Sequence, residues 1–194
     1  MPQNIVTPSA ETLAAGARRA SGRGPAPVHL WDPPYCGEID MRIARDGTWF
    51  YQGTPIGRKP LVRLFASILK REGEEYFLVT PVEKVKLRVD DAPFVAVDVD
   101  RREGAEGPDL IFTTNMDEQV VASRDHPIRV TRDGRTDEPA PYLHVRSGLD
   151  ALIDRKSFYR LVEMGEEAEY DGTRWFGVRS GGRFFPIIPA AELS

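Results

Sequence analysis

The chain has 194 residues, 41% of them hydrophobic, and a net charge of −4, a balance that supports a folded core and excludes wholesale disorder. A single cysteine excludes a disulfide framework and any multi-cysteine metal centre. The 26 basic and 30 acidic residues are interspersed, which argues against bulk affinity for a nucleic-acid backbone.

No apolar run approaches the ~20 residues of a membrane span. No apolar stretch follows basic residues at the N-terminus, as a secretory signal requires. A cytoplasmic protein without a membrane partner is expected. Residues 1–28 read as a peripheral tail and a Gly/Pro-rich linker, with a short helix over 11–20. The aromatic, proline-stiffened segment 31–37 is expected to be an ordered loop over the core.

Ile39, Met41 and Ile43 then alternate with Asp40, Arg42 and Ala44, and Asp46-Gly47 separates them from Trp49, Phe50 and Tyr51. This predicts a hairpin; a two-residue type I′ turn puts Ile43 opposite Phe50 and Ala44 opposite Trp49. Pro60 suits the first position of a helix. Leu61, Leu64, Phe65, Ile68 and Leu69 form one apolar stripe at helical spacing, closed by Glu72-Gly73. Strands follow over 76–79, 85–89 and 95–99. After a charged turn at 101–108, a further hairpin joins 110–113 to 119–122.

Self-similarity orders the rest. Arg42-Ile43-Ala44-Arg45-Asp46-Gly47 recurs 87 residues later as Arg129-Val130-Thr131-Arg132-Asp133-Gly134. Arg58-Lys59 with Arg63-Leu64 recurs 97 residues later as Arg155-Lys156 with Arg160-Leu161. The stripe Leu61, Leu64, Phe65 returns as Phe158, Leu161, Val162, and Phe77 and Val79 return as Phe176 and Val178. Collinear matches of this kind predict a duplication, with the extra residues of the second copy around 136–143. The expected fold is α+β: two repeated hairpin–helix–strand units, residues 29–103 and 104–194, forming antiparallel sheets with one long helix each. Leu64, Phe65, Ile68, Leu161 and Val162 are expected to be nearly buried.

Several strings carry a resemblance: Trp31-Asp32-Pro33 through Gly37, Asp46-Gly47-Thr48-Trp49, Gly53-Thr54-Pro55-Ile56, Thr80-Pro81-Val82-Glu83-Lys84, Asp91-Ala92-Pro93-Phe94 and Arg146-Ser147-Gly148-Leu149. In these the chain resembles the uncharacterised bacterial domain of unknown function 1285 family, over nearly everything after residue 28. The resemblance implies a two-part α+β fold with repeated motifs and a role in signal transduction. It brings no catalytic residues with it.

The chemistry-bearing residues make no recognised catalytic pattern. Cys36 with His29 has no known catalytic spacing and reads as a partly buried structural thiol. His29, His126 and His144 are scattered without metal-ligand spacing, so neither metal nor cofactor is expected. Asp98 and Asp100 share one strand face, where they would hold a cation, serve as an acid/base pair, or be solvated. Trp31 and Trp49, with Tyr35 and Tyr51, read as sheet packing or as an aromatic contact surface.

Both expected helices open on a cationic pair, Arg58-Lys59 and Arg155-Lys156, against the preference of a helix N-terminus for acidic groups. Either neighbours neutralise these side chains, with Asp154 capping the second helix, or each helix start receives an anion. Pro60 removes a donor from the first, so the second is expected to be the better anion site. The leading expectation is a non-enzymatic cytoplasmic module for ligand sensing or protein interaction, regulatory in role, whose partner is an anionic small molecule or an acidic protein segment. A hydrolase-like enzyme using carboxylates is the alternative. Single-stranded nucleic-acid contact is a weaker one.

Overall fold

The computed structural model describes residues 7–22 and 24–193. They fall into two compact units that meet between Asp91 and Ala92.

The first unit begins with helix α1, Ala10–Ala20. Ser9 caps it: its Oγ accepts from the Thr12 N–H at 3.2 Å, and the Ser9 N–H donates back to Thr12 Oγ1 at 3.1 Å. Such a reciprocal cap satisfies two donors that a helix start leaves unpaired. Leu13 and Ala17 are fully buried, and α1 packs on helix α2, Lys59–Ser67. The expected peripheral tail is thus partly core, because an alanine-rich face lets two helices approach closely. Ala26 and Val28 are buried as well, so the linker is anchored.

Strand β1, Tyr35–Ile43, buries Ile39, Met41 and Ile43 on one face. It pairs with β2, Trp49–Tyr51, which pairs with β3, Thr54–Pro55. The hairpin register differs from the expected one. Ile43 faces Trp49 and Arg42 faces Phe50. The Gly47 N–H donates to Ala44 O and the Ala44 N–H donates to Thr48 O, both at 2.9 Å. Only Gly47 in this loop has positive φ, 87°. This is a three-residue loop on a type I turn with glycine in the left-handed position, not a two-residue type I′ turn. One extra loop residue moves every partner by one position and places Ile43 and Trp49 together in the core.

Strands β4, Leu69–Glu72, β5, Glu75–Val79, and β6, Lys84–Val89, form an antiparallel meander. The sheet order is β3-β2-β1-β6-β5-β4, and the central pair β1/β6 is parallel. The helix ends earlier than its apolar stripe. Ile68 closes α2 with its N–H on Phe65 O, 3.1 Å, and Leu69 already pairs with Leu78. Ile68 and Leu69 are buried as expected, but Leu69 is buried from a strand. Leu61 and Leu64 are only half-buried; Phe65 and Ala66 are the helix's core residues.

The second unit opens with β7, Phe94–Gly104, β8, Gly107–Thr114, and β9, Gln119–Val121. Then come β10, Ile128–Arg132, β11, Pro139–Arg146, and β12, Leu149–Ile153. These six form one sheet in the order β10-β11-β12-β7-β8-β9, with β12 and β7 parallel. Because β7 is a central strand here, the expected unit boundary after residue 103 is displaced to residue 91. Helix α3, Arg155–Glu163, follows, then a three-stranded sheet of β13, Glu166–Tyr170, β14, Thr173–Ser180, and β15, Arg183–Pro189. Phe94, Phe112, Leu143, Leu149 and Leu161 are fully buried.

The fold is therefore α+β and mostly strand. Neither sheet of six is wholly antiparallel, and the expected long helix in each unit is only nine residues in α2 and in α3. Val162, expected in the core, is 37% exposed, since α3 buries only Ser157 and Leu161. Both units run hairpin, helix, three-stranded meander. The helix caps Arg58 and Asp154, and the buried Phe65 and Leu161, correspond at an offset of 96 rather than 97. The extra residues of the second unit lengthen β11 and β12 relative to β2 and β3.

Candidate functional site

In the first unit, alternation along β1, β5 and β6 sends Ile39, Met41, Leu78, Val85 and Leu87 to the core. The charged neighbours along β1 and β6 go to the opposite, open face, whereas Phe77 and Val79 of β5 are buried on it. Cross-strand pairing brings Glu38 beside Lys86, Arg42 beside Arg88, and Tyr35 beside Lys84 on that face. Its concavity measures about 850 Å³ and includes Glu38, Asp40, Arg42, Phe50, Lys86 and Arg88 in its lining.

The cations here are compensated. Lys86 bonds Glu75 and lies 3.8 Å from Glu38; the Glu75 bond foremost holds its ammonium above the usual lysine range. Glu72 accepts from Lys84 and Lys70, each at 3.1 Å, and these bonds hold its carboxyl below the usual glutamate range. Arg42 donates to Asp90 at 2.5 Å and stands 4.6 Å from the Phe50 ring centroid. Arg88 reaches the same Asp90 at 3.5 Å. The Lys84 ammonium lies 4.9 Å from the Phe77 centroid, and Tyr35 meets Phe77 edge-on at 6.1 Å. The face thus offers cations against aromatic rings, each with a carboxylate that an incoming anion can replace, because exposed ion pairs are weakly coupled.

None of the residues singled out as binding candidates lines this concavity. Trp49 is 1% exposed and stacks on Phe65, so it belongs to the core rather than to a contact surface. Trp31 is half-buried after the short turn Val28–Leu30. Arg58 and Lys59 are exposed at the start of α2, and Arg58 makes no side-chain cap. Arg155 lies 3.8 Å from Glu138 with both side chains largely exposed, and Lys156 is exposed. At α3 the Asp154 carboxylate already accepts from the Ser157 N–H at 2.7 Å, so the N-terminus expected to be the better anion site holds an internal anion. The residues missed had a signal: Lys84, Lys86 and Arg88 alternate with Val85, Leu87 and Val89, a cationic stripe at strand spacing.

Cys36 is exposed, not partly buried, and its thiol donates to Pro34 O at 3.3 Å. In the second unit, Asp98 and Asp100 are both paired with the guanidinium of Arg160 from α3, an internal partner rather than a bound cation. His144 Nδ1 lies 3.1 Å from Asp150 Oδ1, while Arg129 holds the other oxygen of Asp150 at 2.9 Å. His126 Nδ1 lies 3.2 Å from the His144 carbonyl oxygen. Among the described residues no cluster of three or more side chains is arranged to hold a metal ion, and no helix is long and apolar enough to cross a membrane.

Two α+β units, each with a parallel pair at the centre of a six-stranded sheet, define a two-domain protein. Residues 26–92 match the domain of unknown function DUF1285, N-terminal domain, and residues 93–187 match the protein of unknown function DUF1285, C-terminal domain. The chain belongs to the DUF1285 family. It is similar to the crystal structure of a DUF1285 family protein from Silicibacter pomeroyi DSS-3, with 61% identity and a TM-score of 0.84 over 93% of this chain and 97% of that one. It is also similar to a DUF1285 family protein from Shewanella baltica OS155, with 30% identity and a TM-score of 0.51 over 64% of this chain and 91% of that one. A comparison with curated proteins finds no match.

Proposed function

We propose that the protein is a non-enzymatic cytoplasmic module for ligand sensing or protein interaction, acting in signal transduction. The observation that carries this reading is the concave open face of the first sheet, where Arg42, Lys86 and Arg88 stand beside Phe50. Its occupant is an anionic small molecule with an aromatic or apolar part: the anion exchanges with Asp90, Glu38 and Glu75, and the ring packs on Phe50. An exposed thiol at Cys36 suits a reducing compartment. The hydrolase-like alternative has to release Asp98 and Asp100 from Arg160 before they act as an acid/base pair.

The test is a thermal-shift screen of nucleotides and metabolites on the full chain, with turnover followed by mass spectrometry. A ligand that raises Tm with its free concentration L as RT ln(1 + L/Kd) requires, and is recovered unchanged, supports sensing. The same ligand should lose most of its shift in Arg42→Ala and Lys86→Ala. A shift that survives both substitutions, or a ligand recovered as product, overturns the reading.

A further inference from the structure

Strand β1 is bulged where it crosses the first-unit concavity. It pairs with β6 at Glu38↔Lys86 and again at Arg42↔Arg88, so three residues of β1 stand against the single Leu87 of β6. Of these three, Ile39 and Met41 turn into the core and Asp40 turns out to the open face. A bulge leaves its extra residue without a cross-strand partner and re-aims a side chain. On the other side of β1 the neighbour of Asp40 is the neutral Gln52, whose backbone N–H donates to the Asp40 carbonyl oxygen at 2.9 Å.

The bulge decides the charge of this face. Each cation of the lining is held by a carboxylate: Lys86 by Glu75 and Glu38, and both Arg42 and Arg88 by Asp90. Glu74, also in the lining, is held by Arg71. Asp40 lines the same concavity and is exposed, and its carboxylate meets no hydrogen-bond donor and no cation among the described residues. The charge left uncompensated is therefore negative. A pure anion that displaces Asp90 from Arg42 adds its own charge to those of Asp40 and the freed carboxylate, and like charges at close quarters repel. A ligand that brings a cation as well places it on Asp40 and removes that cost.

We infer that the ligand of this face is a zwitterion, a small aromatic molecule whose carboxylate takes Arg42 and Arg88 and whose ammonium takes Asp40. The inference rests on the function proposed above and names the second half of that ligand. Asp40 and Arg42 stand two residues apart on one face of a strand, about 6–7 Å at ~3.3 Å per residue. An α-amino acid carries both groups on one carbon and spans that gap poorly. An ammonium and a carboxylate at opposite ends of a benzene ring span it, and the ring between them packs beside Phe50, the cross-strand partner of Arg42. Both contacts are charge-assisted. The one to Asp40 displaces no protein partner, whereas the one to Arg42 displaces Asp90.

The probes are para-(aminomethyl)benzoate, para-methylbenzoate and para-methylbenzylamine, which share one ring and differ in charge. Each is titrated into the full chain by calorimetry. The zwitterion should bind at least about threefold more tightly than either singly charged probe, within the range of one exposed ion pair. Asp40→Asn should abolish that difference without weakening para-methylbenzoate, and should keep the wild-type Tm, since this carboxylate holds nothing in the fold. Arg42→Ala should weaken the zwitterion and para-methylbenzoate alike. Should Asp40→Asn not fold, para-(hydroxymethyl)benzoate carries the same test on the wild-type chain: it has the shape of the zwitterion without the cation, and should bind no better than para-methylbenzoate. Equal affinity for the zwitterion and para-methylbenzoate overturns the inference and leaves the anion reading standing. An advantage of the zwitterion that survives Asp40→Asn, or that the hydroxymethyl probe matches, overturns it too. Binding of para-methylbenzoate unchanged in Arg42→Ala overturns the anion reading and the inference with it. Absence of binding by all three probes at about 10 mM overturns the inference, and the screen above then decides the anion reading by itself.

Discussion

Trp49 lies nearly parallel to Phe65, with ring centroids 6.3 Å apart and planes inclined by 19°. The stack joins β2 to α2, and both rings are essentially inaccessible. The Trp49 indole N–H is buried without a hydrogen-bond partner among the described residues. Trp49→Ala should therefore cost about 3–5 kcal/mol, the range for deleting a buried aromatic side chain. Trp49→Phe should cost clearly less, because it keeps a ring on Phe65 and removes the unpaired donor. Urea unfolding of the two variants checks the order; equal losses would show that the stack contributes nothing beyond its volume.

Ser180 is fully buried at the end of β14 and ties this strand to β8 and to the chain after β9. Its hydroxyl donates to Ala122 O at 2.6 Å and accepts from the Leu110 N–H at 2.8 Å. Ser180→Ala leaves a buried backbone donor unsatisfied, which costs about 1–3 kcal/mol. Hydrogen exchange at the Leu110 amide should accelerate in the same variant. A stability change below about 0.5 kcal/mol, typical of surface substitutions, overturns this.

Gly16 lets α1 approach the sheet. A Cβ there would stand 2.8 Å from Thr80 Cγ2, and Thr80 is fully buried, with its hydroxyl accepting from the Glu83 N–H at 3.2 Å. A larger side chain cannot be absorbed by rotating Thr80 without breaking that turn. Gly16→Leu should detach α1 and expose Leu13. Limited proteolysis should then cut within residues 10–22 while the rest of the chain stays resistant; wild-type resistance in that segment counts against a packed α1.

Glu83 sits in that turn, half-buried, and burial raises its carboxyl pKa above the usual glutamate range. The folded state thus binds the proton more tightly than the unfolded chain does. Its contribution is unfavourable at neutral pH and is relieved as pH falls through the raised pKa toward the ordinary value near 4.5. Glu83→Gln should stabilise the protein at pH 7 by no more than about 1 kcal/mol, since the site is partly solvated. The gain should vanish by about pH 4, near the ordinary carboxylate pKa. A gain that persists at low pH would point to packing rather than charge.

Local spacing carried much of the architecture. The alternation at Ile39, Met41 and Ile43, the stripe at Phe65 and Ile68, and the cap at Asp154 each depend on a few neighbouring residues, and each is present in the fold. The α+β class, the order hairpin–helix–strands in both units and the family resemblance were legible in the same way. What tertiary structure decided are the relationships between distant segments. Whether Ile43 faces Trp49 or Phe50 depends on one loop residue, and helix and strand bury Ile68 and Leu69 equally well, so the end of α2 is set by pairing with Leu78. The parallel pairs β1/β6 and β12/β7 join strands dozens of residues apart, and no period in the sequence encodes them. The candidate surfaces arise at that level too. Lys84, Lys86 and Arg88 become a site only when β1 brings Glu38 and Arg42 beside them. That β15 lies beside β10 without pairing to it is decided at the same level, by segments some fifty residues apart.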